Sequence, residues 1–221
     1  IDALHRAGKK IILVNCSGSP IGLEPETQKC EAILQAWYPG QQGGKAVAEV
    51  LFGDYNPAGK LPVTFYRNVS QLPDFEDYNM TGRTYRYMQD VPLFPFGYGL
   101  SYTTFGYGKT VLDKNELTAG QSLKLTVPVT NTGKCNGEEV VQVYLRKQGD
   151  AEGPIKTLRA FKRVSIPAGK TVNVEFDLKD KELEWWDDQS NTVRVCPGNY
   201  DIMVGGSSKE EDLQRTTIAI K

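Results

Sequence analysis

Apolar positions follow two different rhythms along this chain. Up to about residue 66 they come as short continuous runs joined by stretches of helical spacing. Ile1, Leu4 and Ala7 recur on one helical face, and Gly8 suits the position just past a helix end. Ile11-Ile12-Leu13-Val14 is an unbroken apolar run of the kind found in strands covered on both faces. Pro25 predicts the first turn of a short helix at Glu24. Residues 32–37 read as the next strand, closed by Tyr38-Pro39-Gly40. A helix over residues 44–52 is expected to bury Val47, Val50 and Leu51 and to end at Gly53. Residues 61–65 read as a further extended piece, at an edge because of Pro62. Strands alternating with helices predict an α/β unit with parallel pairing over residues 1–66.

Beyond residue 109 the period becomes two. Leu123, Leu125, Val127 and Val129 alternate with polar neighbours, as do Val141, Val143 and Leu145. Val172, Val174, Phe176 and Leu178 return after the turn Pro167-Ala168-Gly169-Lys170, and residues 200–204 and 216–220 supply two last strands. Short strands with turns at this spacing predict an all-β sandwich of the immunoglobulin or fibronectin type III kind over residues 109–221. Residues 67–108 lack periodicity but carry Tyr78, Tyr85, Tyr87, Phe94, Phe96, Tyr98, Tyr102 and Phe105. A solvated linker is poorer in rings, so a connector packed by its own aromatics is expected.

Composition narrows the functions. Lys and Arg number 26 against 27 Asp and Glu, a formal net charge of −1, which argues against nucleic acid or an anionic membrane surface as partner. No apolar run reaches the roughly 20 residues of a membrane span. Ile1 is not an initiator methionine, and no capping residue precedes the first helix. The chain is therefore expected to begin inside an element, as a fragment. With His5 as the single histidine, expected on a solvent-facing helix, no multi-histidine metal site can form. Cys16, Cys30, Cys135 and Cys196 are too far apart for a zinc cluster and are expected as small buried residues or at most one disulfide. Neither a metal nor a cofactor is implied.

Several patterns imitate catalytic motifs and fail. Around Gly43-Gly44-Lys45, Pro39 and Ala46 occupy positions where a phosphate loop needs glycine and Ser/Thr. Gly97-Tyr98-Gly99 lacks a third glycine. Cys16-Ser17-Gly18 lacks the nucleophile elbow. Asn15, Asn68 and Asn79 head N-glycosylation triplets, of which Asn15 ends a buried strand. Glu24, Glu31, Glu49, Asp54, Asp74, Glu76 and Asp77 are candidate acids in the first half, yet spacing cannot pair them. Ligands of open parallel sheets bind beyond the carboxyl ends of strands. That edge carries Ser17, Gly18, Trp37, Tyr38 and Gln42, and rings beside hydroxyls and amides suit a sugar. Trp37 fits a core position under the loop equally well.

The stretches Ala36-Trp37-Tyr38-Pro39-Gly40-Gln41-Gln42-Gly43-Gly44, residues 50–65 and residues 92–105 resemble the C-terminal part of glycoside hydrolase family 3. Arg83-Thr84-Tyr85-Arg86-Tyr87 and Leu183-Glu184-Trp185-Trp186-Asp187 are most similar to its bacterial β-xylosidase and β-glucosidase branch. The resemblance implies retaining hydrolysis of terminal β-linked sugars from oligosaccharides, in a periplasmic or secreted enzyme. It also implies a nucleophilic Asp on an N-terminal TIM barrel and an acid/base Glu upstream of Ile1. No catalytic residue is then expected in this chain, and Gln42 stands where members commonly carry Glu. The expected role is one wall of a sugar pocket, Ser17, Gly18, Trp37, Tyr38 and Gln42, with the missing barrel as partner and apolar sheet surface left uncovered. The alternative is a non-catalytic module that braces the enzyme or binds polysaccharide. Adjacent strand residues face opposite sides, so only one of Trp185 and Trp186 can join a flat binding platform.

Overall fold

The computed structural model describes all 221 residues and comprises a small α/β unit, an irregular connector and a β-sandwich. The first unit runs α1 (Asp2–Arg6), β1 (Ile12–Asn15), α2 (Glu24–Thr27), β2 (Ala32–Gln35) and α3 (Gly43–Phe52). β1 and β2 pair in parallel, Ile12 opposite Ala32 and Asn15 opposite Gln35. Pro25 stands in the first turn of α2, where a missing N–H breaks no helix bond. Gly53 ends α3 at φ 83°, a conformation that a Cβ would strain.

Some expectations need correction here. Val47 and Val50 are only half-buried, and Leu51 is exposed beside Phe52, itself 84% exposed. The connector reaches α3 through Tyr102 OH, which donates to Val50 O at 2.5 Å, and the last turn at Leu51 and Phe52 stays open. Ile1 and Leu4 are exposed as well. Residues 61–65 form no strand of the parallel sheet. They pair instead with the connector, Leu61 N donating to Tyr98 O at 2.8 Å and Phe65 N to Phe94 O at 2.9 Å. Pro62 has no N–H to continue a regular ladder. Of the cysteines only Cys196 is buried; Cys16 and Cys135 lie exposed in polar loops, Cys30 is intermediate, and all four are free. His5 is exposed, as expected.

The connector contains a 3-10 turn (Val69–Gln71) and α4 (Thr84–Tyr87). Tyr85 stacks on Phe96 at 4.4 Å and meets Tyr144 edge-on at 5.8 Å, while Phe94 stacks on Tyr98 at 5.5 Å. Phe75 and Tyr78 are exposed, so the self-packing is confined to the later rings.

The sandwich opens with β3 (Phe105–Tyr107), which lies inside the stretch expected as connector, then β4 (Val111–Leu112) and β5 (Glu116–Leu117). Its long strands are β6 (Leu123–Asn131), β7 (Gly137–Lys147), β8 (Thr157–Ile166) and β9 (Thr171–Leu178). A short helix, α5 (Asp180–Leu183), precedes a hairpin of β10 (Trp185–Asp187) and β11 (Thr192–Arg194). β12 (Gly198–Gly205) and β13 (Gln214–Ile220) complete the chain. One sheet is ordered β5-β13-β12-β7-β8; in the other, β6 pairs with β3 and β4 on one edge and β9 on the opposite one. The alternating positions read from sequence meet between the sheets: Leu123, Leu125, Val127, Val129, Val141, Val143, Leu145, Val174, Phe176 and Leu178 share one core of 20 buried residues. Full burial of each large aliphatic contributes about 1.5–3 kcal/mol before chain entropy is counted. The hairpin was not foreseen, because three-residue strands are too short to show a period. Trp185 is buried and Trp186 is 49% exposed, the opposite-facing pair that strand geometry requires.

β7 explains why the connector is ordered. Val141, Val143 and Leu145 face the core, while Gln142 and Tyr144 point the other way and are buried too. What covers them is the connector, through Tyr85, Phe96 and Gly97.

Candidate functional site

The carboxyl ends of β1 and β2 finish on a pair of amides in register, Asn15 and Gln35. Asn15 Nδ2 donates to Gln35 Oε1 at 2.5 Å and to Ser17 Oγ at 2.9 Å. Gln35 Nε2 donates to the same hydroxyl at 3.2 Å, and Ser17 Oγ donates to Ser19 O at 2.8 Å. The Ser17 hydroxyl is thus spent within the loop: it orders residues 17–19 rather than reaching outward. Asn15 and Gln35, the organisers of this corner, were not singled out as site residues from sequence. The available signal was an amide in the last register position of each parallel strand.

Trp37 adopts φ 54°, a left-handed conformation that costs a non-glycine residue about 1–2 kcal/mol. Such strain is tolerated where the surroundings hold it, here by the Trp37 ring set edge-on to Phe65 at 6.2 Å. Trp37 is half-buried and belongs to the packing beneath the loop. The reversal turns the next ring outward: Tyr38 is 79% exposed and lies across Gly18. A Cβ at Gly18 would sit 2.6 Å from Tyr38 Cε2, so glycine is what allows that close approach. Gly18→Ala is expected to displace the Tyr38 ring yet change stability by less than about 1 kcal/mol, because both residues are on the surface. Tyr38 ring resonances and a thermal melt check the two halves of that statement. Gln42 is exposed at the N-terminal boundary of α3 and makes no side-chain hydrogen bond to the Ser17 cluster. The structure therefore brings Ser17, Gly18 and Tyr38 together, places Trp37 under them, and leaves Gln42 solvated.

The candidate acids of the first half are surface groups. Glu24 pairs with Arg67 at 3.0 Å and Glu49 with Lys45 at 3.6 Å. Asp74 and Asp77 accept from the backbone two residues on, at Glu76 and Asn79. Glu31, Asp54 and Glu76 are exposed. No three His, Cys, Asp or Glu side chains gather into a metal-ligating group, and no helix is long and apolar enough to cross a membrane. The buried carboxylates are elsewhere, at Asp201 on β12 and at Glu139 on β7. Glu139 is the one set against the α/β unit. Burial raises its pKa, against the opposing pull of Lys60 Nζ at 3.3 Å and the Tyr107 hydroxyl at 3.0 Å. This cluster joins the α/β unit to the sandwich, and the same burial raises the Tyr107 pKa further.

Comparison with known proteins covers the whole chain. The model of the glycosyl hydrolase family 3 C-terminal domain matches residues 1–102, and that of the fibronectin type III-like domain matches residues 139–208. A xylan 1,4-beta-xylosidase of Xylanibacter ruminicola is 56% identical over 220 residues, 100% of this chain and 25% of that protein. A periplasmic beta-glucosidase of Salmonella typhimurium is 38% identical over 221 residues, 94% of this chain and 29% of that protein. A solved β-glucosidase of Erythrobacter marinus superposes with TM-score 0.86 at 40% identity, covering 100% of this chain and 29% of the other. The chain thus spans about a quarter to a third of the length of the curated relatives it matches.

Proposed function

Since the chain belongs to glycoside hydrolase family 3, we propose that it forms the C-terminal portion of a retaining, exo-acting β-glucosidase or β-xylosidase. The enzyme removes terminal β-linked sugars from oligosaccharides. Its chemistry runs on two carboxyl groups, one forming a glycosyl-enzyme and the other serving as acid and then base. Both lie outside this chain, the nucleophile on an N-terminal TIM barrel and the acid/base on a loop of the α/β domain upstream of α1. The proposed division is 1–66 for the α/β unit, 67–108 for the connector and 109–221 for the sandwich, with β3 at the end of the connector paired into the sandwich.

The observation that carries the reading is Tyr38, an exposed ring held across Gly18 at the carboxyl end of a parallel pair, where a sugar ring can stack. In this reading Ser17 and Trp37 order the loop that presents the ring, and Gln42, exposed at the start of α3, supplies an uncharged amide to the same wall. Open apolar side chains at Ile1, Leu4, Leu51 and Phe52 support the barrel as a covering partner. The periplasmic relative supports a periplasmic or secreted setting. The sandwich braces the connector, as the burial of Gln142 and Tyr144 beneath it indicates.

Exchanging this chain for the matching segment of the Xylanibacter β-xylosidase tests the proposal. The chimera is expected to hydrolyse aryl β-xylosides, and Tyr38→Ala within it to raise KM several-fold. The 221-residue chain alone is expected to be inactive on aryl β-xylosides and β-glucosides. Turnover by the isolated chain that survives repurification, or a Tyr38→Ala chimera with unchanged KM, would overturn it.

A further inference from the structure

Between α4 and the sandwich lies a cavity of about 540 Å³, remote in sequence from the strand-end loops. Two arginines line it, Arg86 from α4 and Arg159 from β8. Neither forms an ion pair. Arg159 Nη2 donates to the Glu184 carbonyl at 2.6 Å, and its guanidinium lies over the Trp185 ring at 5.6 Å. The Arg86 guanidinium lies over Tyr87 at 5.5 Å. In both, Nε is buried without a hydrogen-bond partner, and the Thr157 hydroxyl in the same wall is buried and unpartnered too. Three such donors in one cavity are unusual, since leaving a buried polar group unpaired costs about 1–3 kcal/mol.

The charges sharpen what the cavity would take. Burial and the repulsion of Arg86 hold the Arg159 pKa below its ordinary value, so two like charges are kept close. Three acids line the same cavity, Asp150, Glu152 and Asp188, and none forms an ion pair with either arginine. Asp150 accepts from Trp185 Nε1 at 2.6 Å and from Gly153 N at 2.8 Å, and Asp188 accepts from Trp186 Nε1 at 2.8 Å. With Glu152 the lining holds three carboxylates against two guanidiniums, which disfavours a multiply charged anion; a single carboxylate is held only where it reaches the guanidiniums directly. Trp186 is half-exposed in the same wall, where a ring can flank a pyranose face.

We propose that this cavity is a binding site for a uronic acid residue, its carboxylate held by the guanidiniums of Arg86 and Arg159 and its ring against Trp186. The site is distinct from the proposed sugar wall at Tyr38 and does not depend on it. Titration of the chain with methyl β-glucuronide, followed by tryptophan fluorescence and calorimetry, tests it. Saturable binding is expected, with none for methyl β-glucoside over the same range. Arg86→Gln is expected to weaken binding at least tenfold. Trp186→Ala, at a half-exposed position that should leave the fold intact, is expected to weaken it several-fold with an unchanged thermal melt. Equal binding of the glucoside, or unchanged affinity in a folded variant, would overturn the assignment. So would absence of saturation, or displacement by inorganic phosphate at equal concentration.

Discussion

Replacing Lys60 by methionine is expected to destabilise the chain by about 3–5 kcal/mol at neutral pH, the usual cost of leaving a buried charge without its partner. Lys60 and Glu139 are 79 residues apart, and their side chains keep only 14% and 5% of their surface exposed. Methionine fills much the same volume, so the loss is electrostatic. It also removes the bond from Lys60 Nζ to Gly99 O at 3.0 Å. The pH dependence gives the cause away. Burial raises the folded-state pKa of Glu139 above 4.5, so the folded state holds its proton more firmly than the unfolded one. That contribution is fully present below the unfolded pKa and is lost as pH rises through the folded pKa. Without Lys60 the folded pKa moves higher still and the window widens. The destabilisation by Lys60→Met should therefore shrink when urea melts are repeated near about pH 4. Adding Glu139→Gln should restore more than half of the loss at neutral pH, the amide still accepting from Tyr107. An equal loss at both pH values would mean that the pair acts through packing alone.

Gly97→Ala is the second large effect, expected to cost about 3–5 kcal/mol from left-handed strain plus broken buried hydrogen bonds. Gly97 adopts φ 79°, and a methyl group there would overlap the Gln142 carboxamide. A side-chain tip usually moves aside, but this one is locked. Gln142 Nε2 donates to the carbonyls of Gly97 at 3.2 Å, Val140 at 3.4 Å and Gly206, and Oε1 accepts from Tyr144 OH at 2.5 Å. Displacing it would strand several buried groups and lift the connector from the sheet. Gly44→Ala makes the contrast: Gly44 lies within α3 with no atom within 4 Å of a Cβ, so the same change should stabilise by about 0.5–1 kcal/mol. Opposite shifts in urea midpoint would confirm that position, not composition, decides the sign.

Both sites show what the stretches that carry the family resemblance do in this fold. In residues 54–65, Tyr55 OH accepts from Arg163 at 2.7 Å, Asn56 Nδ2 donates to Asn136 O at 2.9 Å, and Lys60 meets Glu139. Residues 92–105 return the pairing: Gly97 N donates to Leu61 O and Leu93 N to Phe65 O, both at 2.8 Å. These residues weld two folds together. One sequence clue to this was in plain view: Gln142 interrupts the apolar run from Val140 to Leu145, and a lone polar side chain there must find buried partners. Its partners could not be named from the sequence.

The periodicities alone established the succession of α/β unit, aromatic connector and sandwich, the inward rows of β6, β7 and β9, and the end of α3 at Gly53. Each of these follows from neighbours within one or two turns or from strand alternation. Only the tertiary structure decided that Ser17 is consumed by Asn15 and Gln35, and that Tyr38 rather than Trp37 is the exposed ring. It alone set Arg86 beside Arg159 in an unfilled cavity, and Lys60 against Glu139. These depend on side chains brought together from distant parts of the chain or on a single backbone reversal. Binary patterning does not encode such meetings, because it records which face a residue takes and not which partner it finds there.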